Sequence, residues 1–213
     1  MIAEFQIPTP VSVQHACQQY DEQHQLAESA LEELFRLFPK NDNLNHVLLK
    51  VVAVNTLYHT CIFDLEEVAR HIYAHSLAID AALSSADPAA IDLIARLKVR
   101  SRTHNFYSFA TKYANCHQPQ AYPIYDSRID VYLWNLQLRN RFSTFQHSDL
   151  CNYEKFVDVM TAFRSFHGLK GITFKQIDKF LHLQTEPASH AQNENSSSGP
   201  GSFDFFPEEE QAL

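Results

Sequence analysis

Glycine is scarce in this chain, which has only four glycines among 213 residues, two of them beyond residue 198. Sandwiches, barrels and glycine-rich phosphate loops depend on backbone positions with positive φ, which glycine adopts at least cost. The scarcity therefore argues against those architectures and favours helices. With 45% hydrophobic residues, including 16 Phe and 9 Tyr, the chain has enough apolar material for a well-packed core.

Apolar residues recur at three- and four-residue intervals along most of the chain, which is the periodicity of amphipathic helices. Asp64, with Glu67 three residues later, is typical of a capping box, and Thr173 and Gln176 repeat this spacing. The sequence therefore predicts an all-α fold of roughly eight helices joined by short loops. The predicted helices cover approximately residues 12–38, 44–61, 64–84, 88–98, 104–117, 126–140, 149–167 and 174–183.

The last part of the chain differs in composition from the rest. Residues 185–213 are rich in Ser, Asn, Gly and Glu, with six acidic residues and no Lys or Arg. Such a segment cannot bury enough apolar surface to become ordered. We therefore predict a helical domain over residues 1–184 and a disordered acidic tail over residues 185–213. Residues 203–210 alternate apolar and acidic character, so the tail is either a binding segment for a protein partner, a cover for a basic cleft, or an inert solubilising segment.

Several features predict a protein of the cytoplasm. The four cysteines are scattered without a CxxC pair, which is typical of reduced thiols. The N-terminus lacks the basic and apolar regions of a signal peptide, and no stretch approaches the roughly 20 apolar residues of a membrane span. We expect a soluble cytoplasmic monomer without a membrane partner.

The net charge of −8 is unevenly distributed along the chain. The six acids of the tail account for most of it and leave the remainder at −2. Within that remainder the basic residues cluster, which is compatible with binding the phosphates of a nucleic acid. The two clusters are Lys98, Arg100, Arg102 and Lys112, and Arg128, Arg139 and Arg141.

The most informative stretch runs from Asn105 to Leu133. It places Lys112 on a helix and Asp126 fourteen residues later, after a proline-stiffened turn and at the start of the next helix. Lys112 together with the segment Pro123-Ile124-Tyr125-Asp126 resembles the helix-hairpin-helix DNA glycosylases, including the 8-oxoguanine glycosylases. In that superfamily a helical lysine is followed by a Pro-Val-like turn and an aspartate. In the order of its elements, the resemblance covers roughly residues 45–183.

The resemblance implies a glycosylase-like helical domain that flips a base out of DNA and cleaves its N-glycosidic bond. Asp126 would stabilise the positive charge that develops on the sugar, and Lys112 would attack C1′ or position the base. On a helical wheel, Lys112 points away from the apolar face of its helix and toward a cleft facing Asp126. The structural alternatives are an ordinary helix cap for Asp126 and a solvated lysine for Lys112.

Further residues are candidates for contacts with DNA. Arg100 and Arg102 would grip phosphate, Asn55 would read a base edge, and tyrosines would stack on the flipped base. Most of these side chains also have a purely structural interpretation in core packing or in a solvated connector. The predicted substrate-binding residues are Asn55, Tyr58, Arg100, Arg102, Tyr122, Tyr125 and Arg128.

Several alternatives stay open from the sequence. The excised base is either a damaged base or a modified base of phage DNA, with or without lyase activity. A second interpretation is an inactive helical module that binds nucleic acid or protein, and a third is a structural adaptor acting through its tail. The second rests on the acidic balance and on the lack of glycine between Arg100 and Phe106, where the superfamily has a Gly-hydrophobic-Gly turn. We expect no cofactor, and no metal because His71 and His75 have no third ligand at a useful spacing.

Overall fold

A computed structural model describes residues 6–99 and 102–185 of the chain. This part of the chain contains nine α-helices, one short 3-10 helix and a two-stranded hairpin, which confirms the prediction of an all-α fold. The predicted acidic tail beyond Thr185 and the predicted phosphate ligand Arg100 lie outside the described residues. The elements are α1 (Pro10–Leu37), α2 (Leu44–Leu57), α3 (Leu65–Ala74), α4 (Ser76–Ser84), α5 (Ala89–Ala95), β1 (Arg96–Val99), β2 (Arg102–Asn105), α6 (Tyr107–His117), α7 (Ser127–Asn140), the 3-10 helix His147–Cys151, α8 (Tyr153–Phe166) and α9 (Phe174–Thr185).

Helix α6 lies at the centre of the helical packing. It contacts α1, α2 and α5, while α9 packs along α1 and against α7. The seven consecutive residues from Phe109 to Asn115 are all buried, so α6 is covered on every face. The helical wheel was therefore wrong in giving Lys112 a side of the helix away from the core. Lys112 is only 6% exposed.

A β-hairpin joins α5 to α6, where the sequence predicts the end of a helix and an irregular connector. Strands β1 and β2 are antiparallel, with Leu97 opposite His104 and Val99 opposite Arg102. Leu97 is buried while its neighbours Arg96 and Lys98 are exposed. This alternation spans only four residues, which is too short to outweigh the helical pattern of the preceding segment.

The predicted helix over residues 64–84 is divided into α3 and α4 at His75. The backbone of His75 leaves the helical region (φ −107°, ψ 15°), and its Nδ1 donates to the carbonyl of His71 at 2.9 Å. The predicted helix over residues 44–61 ends earlier, at Leu57, because His59 and Cys61 adopt positive φ. The two differences arise from local backbone geometry that the apolar periodicity does not encode.

Helix caps decide several boundaries. The predicted capping box at the start of α9 is confirmed, since Thr173 N donates to Gln176 Oε1 and Gln176 N donates to Thr173 Oγ1. The predicted box at Asp64 is wrong, because the Asp64 side chain accepts no hydrogen bond at the start of α3. Within the described part of the chain, no helix combines the length and the apolar composition that crossing a bilayer requires.

Candidate functional site

Lys112 and Asp126, the two residues predicted to be catalytic, lie next to each other. Lys112 Nζ is 3.7 Å from Asp126 Oδ2, and the two side chains are 8% and 25% exposed. Lys112 comes from the middle of α6 and Asp126 immediately precedes α7. The pair therefore consists of a deeply buried ammonium beneath a carboxylate that reaches solvent.

The Asp126 carboxylate is fixed by the start of α7. Its Oδ1 accepts hydrogen bonds from the backbone N–H groups of Arg128 and Ile129, both at 3.0 Å. These bonds satisfy two of the unpaired N–H groups at the helix N-terminus, and the positive end of the helix dipole favours the negative charge there. Since Oδ1 is used in the cap, Oδ2 is the oxygen directed at Lys112. The structural interpretation of Asp126 as a helix cap is confirmed, and the cap uses Oδ1 only.

The turn before Asp126 is bound directly to α6. Thr111 Oγ1 accepts from Tyr125 N at 3.1 Å, and Asn115 Nδ2 donates to Tyr122 O at 2.7 Å. On the other side of the turn, Tyr153 Oη donates to Pro123 O at 2.9 Å. Because Thr111 is adjacent to Lys112 and Tyr125 is adjacent to Asp126, these bonds set the spacing between the two charged residues.

The ammonium of Lys112 is poorly satisfied compared with that of the other buried lysine. Lys50 donates to Phe38 O, Lys40 O and Asn41 Oδ1 at 2.7–3.1 Å. For Lys112 Nζ, the polar contact found among the described residues is the ion pair with Asp126 Oδ2 at 3.7 Å, which is longer than a hydrogen bond. A buried ammonium normally needs several hydrogen bonds to offset its desolvation. The fold therefore gives the N–H donors of Lys112 fewer partners than those of Lys50.

A second buried ion pair lies beside the first. Lys175 Nζ of α9 is 2.6 Å from Glu28 Oε2 of α1, and both side chains are at least 85% buried. The hydroxyl of Tyr58 accepts from Lys175 Nζ at 3.1 Å and donates to Glu28 Oε1 at 3.2 Å. The Tyr58 ring lies 5.8 Å from Lys112 Nζ and 5.7 Å from Lys175 Nζ, distances at which a ring face attracts an ammonium. Tyr58 thus connects the two pairs.

Asp178 of α9 completes the group of charges and is 8% exposed. Its pKa is raised to about 7, chiefly by burial; Lys175 opposes this shift, while the negative charges of Asp126 and Glu28 contribute to it. Burial lowers the pKa of Lys175, but Asp178 and Glu28 more than offset this, and its net pKa is raised. Asp178 therefore titrates near neutral pH, whereas Lys175 is fully protonated there.

Uncharged groups surround these residues. Burial raises the pKa of the Cys116 thiol to about 12 and that of the Tyr58 hydroxyl well above its usual value. Cys116 is thus a neutral thiol and a poor nucleophile. A narrow cleft lined by Glu28, Tyr58, Cys116 and Lys175, with a volume of about 20 Å³, borders the second ion pair. It has room for a water molecule, so a larger ligand requires these side chains to move.

Asn55, Tyr122 and Tyr125 are engaged within the fold. Asn55 Oδ1 accepts from Thr60 Oγ1 at 2.7 Å and from Ile62 N at 2.9 Å, which holds the loop after α2. Tyr122 is 1% exposed and donates to backbone carbonyls of the α4–α5 region. Tyr125 is half-buried and donates to Asp130 Oδ2 at 2.9 Å. Of the aromatic residues predicted to stack on a base, only Tyr58 contacts Lys112.

The predicted phosphate ligands lie on the surface. Arg102 is exposed on β2, in the hairpin that leads into α6. Arg128 is exposed in the first turn of α7, two residues after Asp126. Arg128 thus adjoins the Lys112–Asp126 pair along the chain, while Arg102 belongs to a separate element.

The sequence analysis did not identify three residues of the site, because they come from the first and last helices. These residues are Glu28, Lys175 and Asp178. A signal for two of them was present. Asp178 falls on the apolar stripe of α9, between Ile177 and Leu181, and Glu28 falls on the stripe of α1 that continues through Leu31. A carboxylate on the buried face of a helix requires a partner and is a marker of a buried polar site.

Comparison with known proteins places the chain in a family. The model of HI_0787_N, described as an N-terminal domain, matches residues 12–121, a span that contains Glu28, Tyr58 and Lys112 and ends before Asp126. A Haemophilus influenzae protein, named only as an uncharacterized protein, is 34% identical over 145 residues, which are 68% of this chain and 65% of that protein. The chain therefore spans about 65% of the length of this relative. No solved structure matches the chain. Since the family match extends over slightly more than half of the 213 residues, the chain belongs to the HI_0787_N family.

Proposed function

We propose that this chain is a DNA N-glycosylase, which flips a damaged or modified base out of the duplex and cleaves its glycosidic bond. The observation that carries the proposal is the buried side chain of Lys112, held 3.7 Å from the partly exposed carboxylate of Asp126. At this distance the lysine can act as a nucleophile or a hydrogen-bond donor, and the carboxylate can stabilise positive charge. Cleavage of a glycosidic bond uses both.

Asp126 would act on the sugar. Departure of the base leaves positive charge on the ring carbon and oxygen, and a fixed carboxylate beside the ring stabilises that charge. Asp126 is suited to this role because the start of α7 already holds Oδ1, so that Oδ2 needs little reorganisation. Its partial exposure leaves it accessible from the surface.

Lys112 would act on C1′ or on the base. Its N–H donors can orient the substrate, and its deprotonated amine can attack C1′ to form a Schiff base with the sugar. The first role gives base release alone, and the second adds lyase activity. Tyr58, with its ring 5.8 Å from Lys112 Nζ, is the aromatic residue positioned to contact a base that enters beside the lysine.

Duplex DNA would lie across the exposed arginines. Arg128 at the start of α7 would contact a phosphate close to Asp126, and Arg102 on the hairpin would contact a phosphate farther along the duplex. Phosphate contacts of this kind fix the position of the duplex and carry little sequence information. The specificity of the enzyme would then come from the base pocket.

Formation of abasic sites tests the proposal. Purified protein is incubated with plain, oxidised and phage-modified duplexes, and strand breaks are counted after alkali treatment. We expect breaks on one of these substrates, and their loss in Asp126→Asn, which keeps a good helix cap but removes the charge. Asp87→Asn is the matched control, because Asp87 Oδ1 also accepts a backbone N–H at the start of a helix (α5) but is far more exposed.

The same substrates separate the remaining possibilities. Borohydride traps a Schiff base, so trapping in the wild type and not in Lys112→Gln indicates lyase chemistry. DNA binding without breaks on any substrate favours the inactive nucleic-acid-binding module. The absence of both strand breaks and DNA binding would overturn a role on DNA.

A further inference from the structure

A cleft of about 470 Å³ lies where the C-terminal ends of α1 and α6 meet α4. Its volume is in the range of roughly 300–1,000 Å³ that is typical of small-molecule sites. The cleft is separate from the cleft beside Tyr58, and the two share no lining residue. Its lining includes the apolar residues Phe35, Pro39 and Leu83 and the polar residues Asp80, His117 and Gln118.

Two of the polar lining residues, Asp80 and His117, are joined behind the cleft by buried side chains. Asn41, which is fully buried, donates from its backbone N to Asp80 Oδ2 at 3.0 Å and from Nδ2 to Asp80 Oδ1 at 2.6 Å. Its Oδ1 accepts from Lys50 Nζ at 2.7 Å. Lys50 Nζ in turn lies 3.5 Å from His117 Nε2. The positions of the Asp80 carboxylate and the His117 ring in the cleft wall are therefore set from the interior of the fold.

The contact with Lys50 decides which nitrogen of His117 carries the proton. Burial and the positive charge of Lys50 lower the pKa of His117 to about 3, so the ring is neutral near pH 7. Burial lowers the pKa of Lys50 to about 8, so the lysine is still mostly protonated there. Because an ammonium group can only donate, Nε2 must accept and the proton of the ring lies on Nδ1. His117 therefore keeps Nδ1–H as the donor that it can present to the cleft.

The cleft also contains acceptor oxygens. Each Asp80 oxygen accepts one hydrogen bond from Asn41, and a carboxylate oxygen has room for a second. Gln118 Nε2 donates to Leu83 O at 2.7 Å, which directs the donor side of its amide to α4 and leaves Oε1 as an acceptor. The cleft thus combines an N–H donor with carboxylate and amide acceptors between apolar walls.

We propose that this cleft binds a small, flat, uncharged heterocycle whose ring carries adjacent C=O and N–H groups, as the lactam forms of pyrimidine and purine bases do. The carbonyl oxygen accepts from His117 Nδ1–H, the ring N–H donates to Asp80 or Gln118, and the ring packs against Phe35. A charged ligand fits less well, because the cleft has a carboxylate in its wall and the Lys50 ammonium behind His117. This site is independent of the proposed function, in which none of its residues takes part.

The first experiment tests the donor without a ligand. Long-range proton–nitrogen NMR spectra at about pH 7 distinguish the two neutral tautomers of histidine from the doubly protonated ring. The signals of His117 are assigned by their loss in His117→Phe, in which Lys50 keeps its hydrogen bonds to three oxygen atoms. We expect a proton on Nδ1 and none on Nε2. A proton on Nε2, with or without one on Nδ1, would overturn the proposal.

The second experiment measures binding to the full chain. The probes are uridine and inosine, each compared with the derivative that is methylated at the ring N–H next to the carbonyl group. Methylation removes the donor and keeps the ring. From NMR titrations at about pH 7 we expect each probe to bind roughly tenfold more tightly than its methylated form, because the methylated ring leaves a buried acceptor unpaired. Equal affinities within both pairs, or no binding of either probe at millimolar concentration, would overturn the proposal.

Two variants test whether the probe occupies this cleft. His117→Phe should weaken binding roughly tenfold through loss of the donor, and Ala81→Trp should abolish it by filling the cleft from the exposed side of α4. The matched controls are His46→Phe, a half-buried histidine that also stacks on a phenylalanine, and Ala30→Trp, an exposed alanine of α1. Neither residue lines the cleft, so both controls should bind as the wild type does. Unchanged binding in Ala81→Trp or in His117→Phe would overturn the assignment.

Discussion

Lys112 Nζ lies 3.7 Å from Asp126 Oδ2. The residues just before them are also in contact, because Thr111 Oγ1 accepts a hydrogen bond from Tyr125 N. The distance between the charged groups is thus set by a neighbouring polar contact between α6 and the turn before α7. The hydrogen bond therefore holds α6 and the turn before α7 at a fixed distance where the ion pair forms. This relationship gives a first prediction.

Thr111→Val should slow base release while leaving the fold intact. Valine has nearly the shape of threonine, but it leaves the Tyr125 N–H without an acceptor, at a cost of about 1–3 kcal/mol. The turn would then relax and displace Asp126. We expect a fall of roughly tenfold or more in the rate of base release, with an unchanged helical circular dichroism spectrum. Thr161→Val is the control, because the Thr161 hydroxyl donates only to Val157 O on the exposed side of α8; equal rates for both variants would contradict this role of Thr111.

Lys175→Met should destabilise the protein more than Glu28→Gln. Loss of the lysine leaves Glu28 buried without its ion-pair partner, which typically costs about 3–5 kcal/mol. Loss of Glu28 costs less, because Asp178 can ionise and compensate Lys175. Urea unfolding at neutral pH measures both free energies. Lys155→Met, which removes an exposed ion pair with Asp149, should cost far less than either substitution, and equal losses for Glu28→Gln and Lys175→Met would count against the coupling.

The stability of Asp178→Asn relative to the wild type should increase with pH. The folded-state pKa of Asp178 is raised to about 7 from an ordinary value of 3.8, so the folded protein holds a proton that the unfolded chain releases. The resulting stabilisation is complete below the unfolded pKa and is lost as the pH rises through the folded value, by roughly 1.4 kcal/mol for each unit of the shift. The variant lacks this loss. Thermal unfolding between about pH 4 and pH 8 measures it, with the exposed Asp158→Asn as control; parallel profiles for wild type and Asp178→Asn would contradict the raised pKa.

Arg102→Gln and Arg128→Gln should each weaken the salt dependence of DNA binding. A side chain that neutralises one phosphate contributes about 0.9 to the slope of log affinity against log salt concentration. Each substitution should lower the slope by that amount and affect plain and modified DNA alike. Arg36→Gln is the control, since Arg36 is exposed in the last turn of α1 and belongs to neither basic cluster. An unchanged slope for Arg128→Gln would place the duplex elsewhere.

The sequence was sufficient for the parts of the fold that depend on local chemistry. The caps at Asp126 and Thr173 follow from side chains that bond to the adjacent backbone, and both are present. The hairpin over residues 96–105 was missed because two four-residue strands display almost no periodicity, and their pairing is what stabilises them. The break at His75 depends on one side chain that bonds to a helix carbonyl.

The candidate site was predictable only in part for a similar reason. Lys112 and Asp126 belong to one motif and were predicted as a pair, which the geometry brings together. The partners Glu28 and Lys175 are separated by more than 140 residues, and only the packing of α1 against α9 makes them neighbours. The burial of Asp178 and its raised pKa depend on that same packing. In a single sequence, the only sign of such a buried partner is an acidic residue on the apolar stripe of a helix.

The most direct test of the central claim is the single-turnover rate of base release by the wild type, Asp126→Asn and Asp87→Asn on whichever modified duplex is cleaved. A glycosylase that uses the Lys112–Asp126 pair should lose roughly 100-fold or more in Asp126→Asn, with DNA affinity retained, while Asp87→Asn stays at the wild-type rate. Equal rates for all three proteins, or no base release by the wild type on any duplex, would contradict the claim.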